Sequence, residues 1–94
     1  MPMRYTWHYD KNLANVRKHG IAFGEAIRIF DGFATEEPDE RYHYGEERVI
    51  ATGLLNGQEI VVVFTDTPKG ERRIISARPA NRKERENYWR QRPP

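Results

Sequence analysis

Residues 48–78 read RVIATGLLNGQEIVVVFTDTPKGERRIISAR, and their punctuation decides the fold. Three β-rich runs, 48–55, 59–66 and 72–78, are split by Asn56-Gly57, the dipeptide a tight hairpin prefers, and by the reversal Pro68-Lys69-Gly70. Three strands joined by two short turns make an antiparallel meander. The middle run is apolar at every position from Ile60 to Phe64, which makes it the expected central strand, covered on both faces.

Working outward, residues 4–7 are aromatic and β-branched and predict a first strand. Asp10 is placed to cap a helix over 11–19, with Gly20 positioned to end it in the left-handed conformation. At about 100° per residue, Lys11, Asn15, Lys18 and His19 share one face and Leu13 and Val16 the other, so one side is cationic and the other is core. Phe23, Ala26, Ile27 and Phe30 recur at i, i+3, i+4 and i+7, a second amphipathic helix that stops at Asp31-Gly32. Residues 35–47 are acidic and broken by Pro38 and Gly45, and read as a loop or irregular hairpin arm. After Pro79, Asn81 and Glu84 stand as a capping box and open a helix to about Arg90, anchored by Tyr88 and Trp89. The fold class is α+β, an antiparallel sheet with two N-terminal helices and one C-terminal helix.

Ninety-four residues make one small domain, 1–94, because two cores would each be marginal. The absence of cysteine removes disulfides, thiolate metal sites and cysteine nucleophiles. A hydrophobic share of 37% and a mean hydropathy of −0.92, set beside 12% aromatics, point to a small aromatic-rich core rather than disorder. No apolar run approaches the roughly 20 residues of a membrane span, and residues 1–9 lack the apolar stretch of a signal peptide. The expectation is a soluble cytoplasmic protein that makes no membrane contact.

The net charge of +2 conceals a sorting of charge along the chain. Residues 1–21 carry four Lys or Arg against one Asp; residues 22–68 carry three Arg against ten Asp or Glu; residues 69–94 carry nine Lys or Arg against three Glu. Such sorting suits a positive surface for a polyanion, though mixed solvated surfaces also carry runs of charge.

With His8, His19 and His43 as the histidines, chemistry is left to His, carboxylate, Lys or Tyr acid–base work and to stabilisation by cations. His43 among Asp39, Glu40, Glu46 and Glu47 offers oxygens to a hard cation, but the spacing follows no metal pattern and a solvated loop accounts for it better. No Gly-x-Gly-x-x-Gly, Walker lysine or Gly-x-Ser-x-Gly is present. What remains is a group of cations with one histidine: Lys11, Lys18 and His19, then Arg72, Arg73 and Arg78, then Arg82 and Lys83. RNA cleavage needs such parts, a base for the 2′-hydroxyl, an acid for the 5′-oxygen and cations around the phosphate, with no metal or cofactor. The plainer readings are a helix-end cation for His19, an ion pair with the acidic segment for Arg78, and a solvated face for the lysines. Strict alternation sends Arg73 and Arg78 to opposite faces, so one site holds both only if the strand ends or bends before Arg78.

Trp7, Lys11, Asn15, Lys18-His19-Gly20-Ile21, Phe23, Glu25-Ala26 and Phe30-Asp31 resemble the start of the BrnT family of bacterial type II toxins. Glu46-Glu47-Arg48, Gly53, Val61-Val62-Val63 and the block from Arg73-Ile74-Ile75-Ser76-Ala77-Arg78-Pro79-Ala80 to Glu84 and Tyr88 continue the likeness over essentially the whole chain. The resemblance implies a RelE-like α+β fold, a ribonuclease that inhibits translation, and a cognate BrnA-like ribbon-helix-helix antitoxin through which alone DNA is read. It carries His19 over as acid or base, Lys11 or Lys18 as a partner in proton transfer or phosphate binding, and Arg73 and Arg78 as transition-state stabilisers, with Arg72, Arg82 and Lys83 as RNA-binding cations. Two positions depart from the family's habit: His8 stands where an acidic residue is common, a second histidine near Lys11 that either adds an acid–base group or caps the strand, and Asn81 stands where Thr or Ser is common and makes an equivalent cap. Beside the enzyme stand two other readings: a module that grips RNA or the ribosome without cutting, and an inactive homologue acting through its antitoxin. Self-association is not legible.

Overall fold

A computed structural model, which describes residues 3–41 and 45–94, resolves the chain into five strands, three α-helices and a 3₁₀ helix. In order they are β1 (Arg4–Thr6), α1 (Tyr9–His19), α2 (Phe23–Ala26) continuing as a 3₁₀ helix (Ile27–Asp31), β2 (Ala34–Pro38), β3 (Val49–Leu55), β4 (Gln58–Asp66), β5 (Glu71–Pro79) and α3 (Arg82–Gln91). Asn56 and Gly57 both take positive φ, 51° and 81°, so the β3–β4 turn has the backbone twist that matches a tight hairpin.

The sheet order is β1-β5-β4-β3-β2, with β4 central and the meander antiparallel. The sheet as a whole is mixed, which corrects the antiparallel expectation: β1 runs parallel to β5, with Arg4 opposite Glu71 and Thr6 opposite Arg73. No hairpin joins these two strands, so no turn dictates their direction, and the helices and three strands between them supply the long crossover a parallel pair requires. The acidic run after Ala34 is a second correction. It forms edge strand β2, pairing antiparallel with β3, with Thr35 opposite Thr52 and Glu36 opposite Ala51. Exposed Glu36 and Glu37, with Pro38 as the last strand residue, suit an edge that must not pair further.

Cross-strand partners share a face of the sheet, which sorts the residues into two layers. On one face Ala51, Leu55, Ile60, Val62, Phe64, Ile74 and Ala77 form the main core with Ile21, Phe23, Ala26 and Ile29. The expected single helix over 23–30 is instead a four-residue α-helix and a tighter 3₁₀ turn, which brings Ile29 against the sheet. There Gly53 is needed, because a Cβ on it would stand 2.8 Å from Ile29 Cβ. On the other face, buried Val61 and Val63 lie outside that cluster. Helix α3 covers this face over β2 and β3. Its Tyr88 is 1% exposed and rests on Phe33, while the Trp89 Nε1 donates to Glu59, a neighbour of Val61 on that face, at 2.8 Å. Trp89 itself is 47% exposed, so Tyr88 is the deeper anchor.

Helix α1 begins earlier than expected. His8 is its N-cap residue and makes no side-chain cap bond, while Asp10 sits inside the first turn. Asn15, expected on the cationic face, is buried, and Val16, expected in the core, is 41% exposed. The Asn15 Nδ2 donates to the carbonyls of Ile21 and Ala77, each at 2.8 Å, and its Oδ1 accepts from the Ala77 N–H at 3.1 Å. One side-chain amide thus does for Ala77 what a neighbouring strand would do, and ties α1 along the sheet edge beyond β1.

Candidate nucleic-acid interface

Strand β5 runs unbroken past Arg78, yet Arg73 and Arg78 point the same way. The β4–β5 register shifts between Val63 and Phe64: Phe64 lies opposite Ile74, whereas Val63 lies opposite Ser76. Ile75 is the extra residue of a β-bulge, and the alternation restarts after it. Arg73, Ser76 and Arg78 therefore pair with Thr65, Val63 and Val61 and share the face that α3 only partly covers. The conflict posed by strict alternation is removed by a bend, with no break in the strand.

Each of these arginines is held by a carboxylate. Arg73 Nη2 donates to Glu46 at 2.7 Å, and Arg48 reaches the other oxygen of Glu46 at 3.4 Å. Arg78 donates from Nη1 and Nη2 to the two oxygens of Glu84, both at 2.8 Å. Glu84 also accepts from the Asn81 N–H while Asn81 Oδ1 accepts from the Glu84 N–H, so the capping box of α3 and the Arg78 clamp share one carboxylate. The Arg78 guanidinium holds the Glu84 carboxyl below the usual carboxylate range against the opposing effect of burial. The acidic partner expected for Arg78 in the loop is thus on α3, and it is Arg73 that pairs with the acidic segment.

Around α1, the 100° step separates the remaining cations. Asn12 Oδ1 accepts from the Phe23 N–H at 2.8 Å, which turns that flank of the helix toward α2. His19 lies on the same flank as Asn12. Exposed Lys11 and Lys18 lie round the helix from Asn12, on the other side of buried Asn15. Arg72 is on the other face altogether. Its guanidinium lies 4.0 Å from the Phe64 ring centroid and 4.9 Å from that of Phe30, and it donates to Asp66 at 2.9 and 3.2 Å. Arg82 and Lys83 are exposed in the first turn of α3, with Arg82 bonded to Glu86 at 3.1 Å.

Two surface hollows frame the cations. The larger is edged by Glu36, Glu37, Asp39, Glu40, Glu46 and Glu47, with Arg48 among them, and its charge disfavours phosphate. Within it Asp39 is nearly buried and is clamped by Arg41, whose hydrogen bonds lower its pKa. The hard-cation reading of this loop turned on His43, which lies outside the described residues. The smaller hollow is lined by Thr6, Trp7, His8, Lys69, Glu71 and Arg73. Sequence reasoning did not bring His8 to Arg73. The signal available was the odd choice of histidine at a helix start, where Ser, Thr, Asp or Asn is preferred.

Comparisons with known proteins agree with one another. The family profile described as "Ribonuclease toxin, BrnT, of type II toxin-antitoxin system" matches residues 7–84. Among solved structures, the chain is similar to the 1.1 Å crystal structure of the Brucella abortus ribonuclease toxin BrnT, with 28% identity and a TM-score of 0.70 over 86% of this chain and 100% of that one. No curated protein sequence matches it. The chain belongs to the BrnT family of ribonuclease toxins of type II toxin–antitoxin systems.

Proposed function

We propose that this chain is an endoribonuclease that cuts RNA without a metal ion, stops translation in the cytoplasm, and is neutralised by a ribbon-helix-helix antitoxin of the BrnA type. The observation that carries the reading is the bulge in β5, which turns Arg73 and Arg78 to one face of the sheet. A phosphodiester on that face meets two guanidinium groups able to stabilise the charge that builds on its oxygens, and two ammonium groups able to hold neighbouring phosphates. Lys18 and Lys11 grip the backbone, Arg73 and Arg78 face the scissile group, and Arg82 and Lys83 extend the track along α3. Arg72, stacked on Phe64, is left to the core margin. His19 stands with Asn12, and its place in the last turn suits a helix-end cation better than the proton transfer.

Inducing the chain alone in a bacterial host, beside Arg73→Gln and Arg78→Gln, tests this. Growth arrest with RNA breakdown in the wild type, cleavage by the purified chain in excess EDTA, and a loss of about 100-fold or more in each variant are expected. Arrest with intact RNA would instead support the module that binds RNA or the ribosome without cutting.

A further inference from the structure

We propose that His8 is the general base of this chain, the group that takes the 2′-hydroxyl proton; the assignment rests on the ribonuclease reading above. Three observations carry it. First, His8 occupies the N-cap of α1 with extended backbone angles, φ −80° and ψ 131°, and makes no cap bond there. Asn, Asp, Ser or Thr at that place stabilises a helix start, so histidine forgoes stability where a short polar side chain would supply it, and such broken rules concentrate at functional sites. Second, His8 lines the small groove with Arg73 and Lys69, and the groove's strand residues Thr6, Glu71 and Arg73 belong to the face on which Arg78 also lies. Third, the other described histidine, His19, is the last residue of α1, at the opposite end of that helix from the groove His8 lines.

The groups facing His8 across the groove are Lys69, Glu71 and Arg73, and Asp10 and Lys11 follow it on its own helix. Glu71 is engaged by Arg4 at 2.9 Å and Arg73 by Glu46 at 2.7 Å. In the reaction a neutral imidazole takes the 2′-hydroxyl proton as the 2′-oxygen bonds to phosphorus. The P–O5′ bond breaks with its electron pair going to O5′, which takes a proton from the ammonium of Lys69 or Lys11. A 2′,3′-cyclic phosphate and a 5′-hydroxyl result, and exchange with water returns the histidine proton and restores the lysine.

His8→Asn in the full chain tests the assignment, because asparagine is neutral and a better N-cap. The thermal midpoint should stay level or rise, by about 2–6 °C. Affinity for a 2′-O-methyl RNA, which cannot be cleaved, should stay within about threefold, while kcat falls by about 100-fold or more. The acidic limb that a general base gives the pH–rate profile should vanish with it. A His8→Asn chain that cleaves within about threefold of wild type with the same acidic limb overturns the assignment, and so does equal loss of binding and cleavage. Should His8→Asn fold poorly, His8→Ser gives the same readouts. An inert wild type overturns the ribonuclease reading itself, whereas an active wild type with an equally active variant overturns the role of His8 alone.

Discussion

Arg72 and Arg73 are neighbours of like charge with opposite duties, because a strand sends consecutive side chains to opposite faces. Arg73 emerges on the face of Arg78, while Arg72 lies over the rings of Phe64 and Phe30 with only 14% of its side chain exposed and Asp66 at 2.9 Å. A guanidinium there is a packing element as much as a charge: its plane covers the aromatic edge of the core, where Phe30 in turn stacks on Tyr5 at 5.8 Å. Arg72→Gln removes the stacking and leaves Asp66 without its partner, at a cost of about 2 kcal/mol. Thermal unfolding should show a midpoint lower by roughly 10 °C, with cleavage per folded molecule unchanged. Arg73→Gln should do the reverse, leaving the midpoint within a few degrees and removing cleavage. If Arg72→Gln abolished cleavage at an unchanged midpoint, Arg72 would belong with the RNA-facing cations after all.

Among the elements, α3 is joined to β5 through one carboxylate, and this gives the C-terminal helix a pH-dependent hold. Glu84 bonds Arg78 at 2.8 Å twice over and closes the capping box with Asn81. Because its folded-state pKa is depressed, its contribution is fully present above the ordinary value of 4.5 and is lost as pH falls through the folded value. The stability gap between wild type and Glu84→Gln, about 1 kcal/mol at pH 7, should therefore hold down to about pH 5 and close below it. Urea titrations from pH 7 to pH 3 read this directly, and a gap that is the same at both ends would mean the pair contributes nothing.

What the sequence made legible at this scale followed local chemistry. Asn56-Gly57 announced the β3–β4 hairpin, and Asn81 with Glu84 announced α3. The rest depended on partners distant in the chain. Nothing in the acidic run marked Thr35 as opposite Thr52, and no turn told β1 to lie parallel to β5. The bulge at Ile75 leaves no mark in Ile74-Ile75-Ser76-Ala77, yet it decides which face Arg78 joins. Helical spacing puts Asn15 on the cationic face with Lys11 and Lys18, and its burial is not legible there because its partners, the Ile21 and Ala77 backbone groups, meet it only in the folded chain. His8 met Arg73 only through the parallel pairing of β1.

At the scale of the whole molecule, the sorted charges meet again in space, and this sets how the surface answers to salt. The acidic middle of the chain supplies Glu46 to Arg73, and α3 supplies Glu84 to Arg78, so both arginines on the shared face are already balanced. Lys11 and Lys18 make no ion pair among the described residues. A balanced guanidinium can still donate hydrogen bonds to a phosphate, but it displaces few counterions from RNA, whereas an ammonium with no internal partner displaces its full share. With about −0.7 per neutralised phosphate on a single strand, Lys11 and Lys18 together should contribute about −1.4 to the slope of log affinity against log salt, and the balanced Arg73 and Arg78 little. Glu84→Gln frees the charge of Arg78 and should steepen the slope by about 0.7, while Lys18→Gln should flatten it by the same amount. Binding of a 2′-O-methyl oligonucleotide measured across a range of salt gives these slopes without cleavage. A Glu84→Gln slope equal to that of the wild type would mean that RNA opens the Arg78 clamp as it binds, and an unchanged slope on replacing Lys11 and Lys18 together would remove the lysine flank of α1 from the interface.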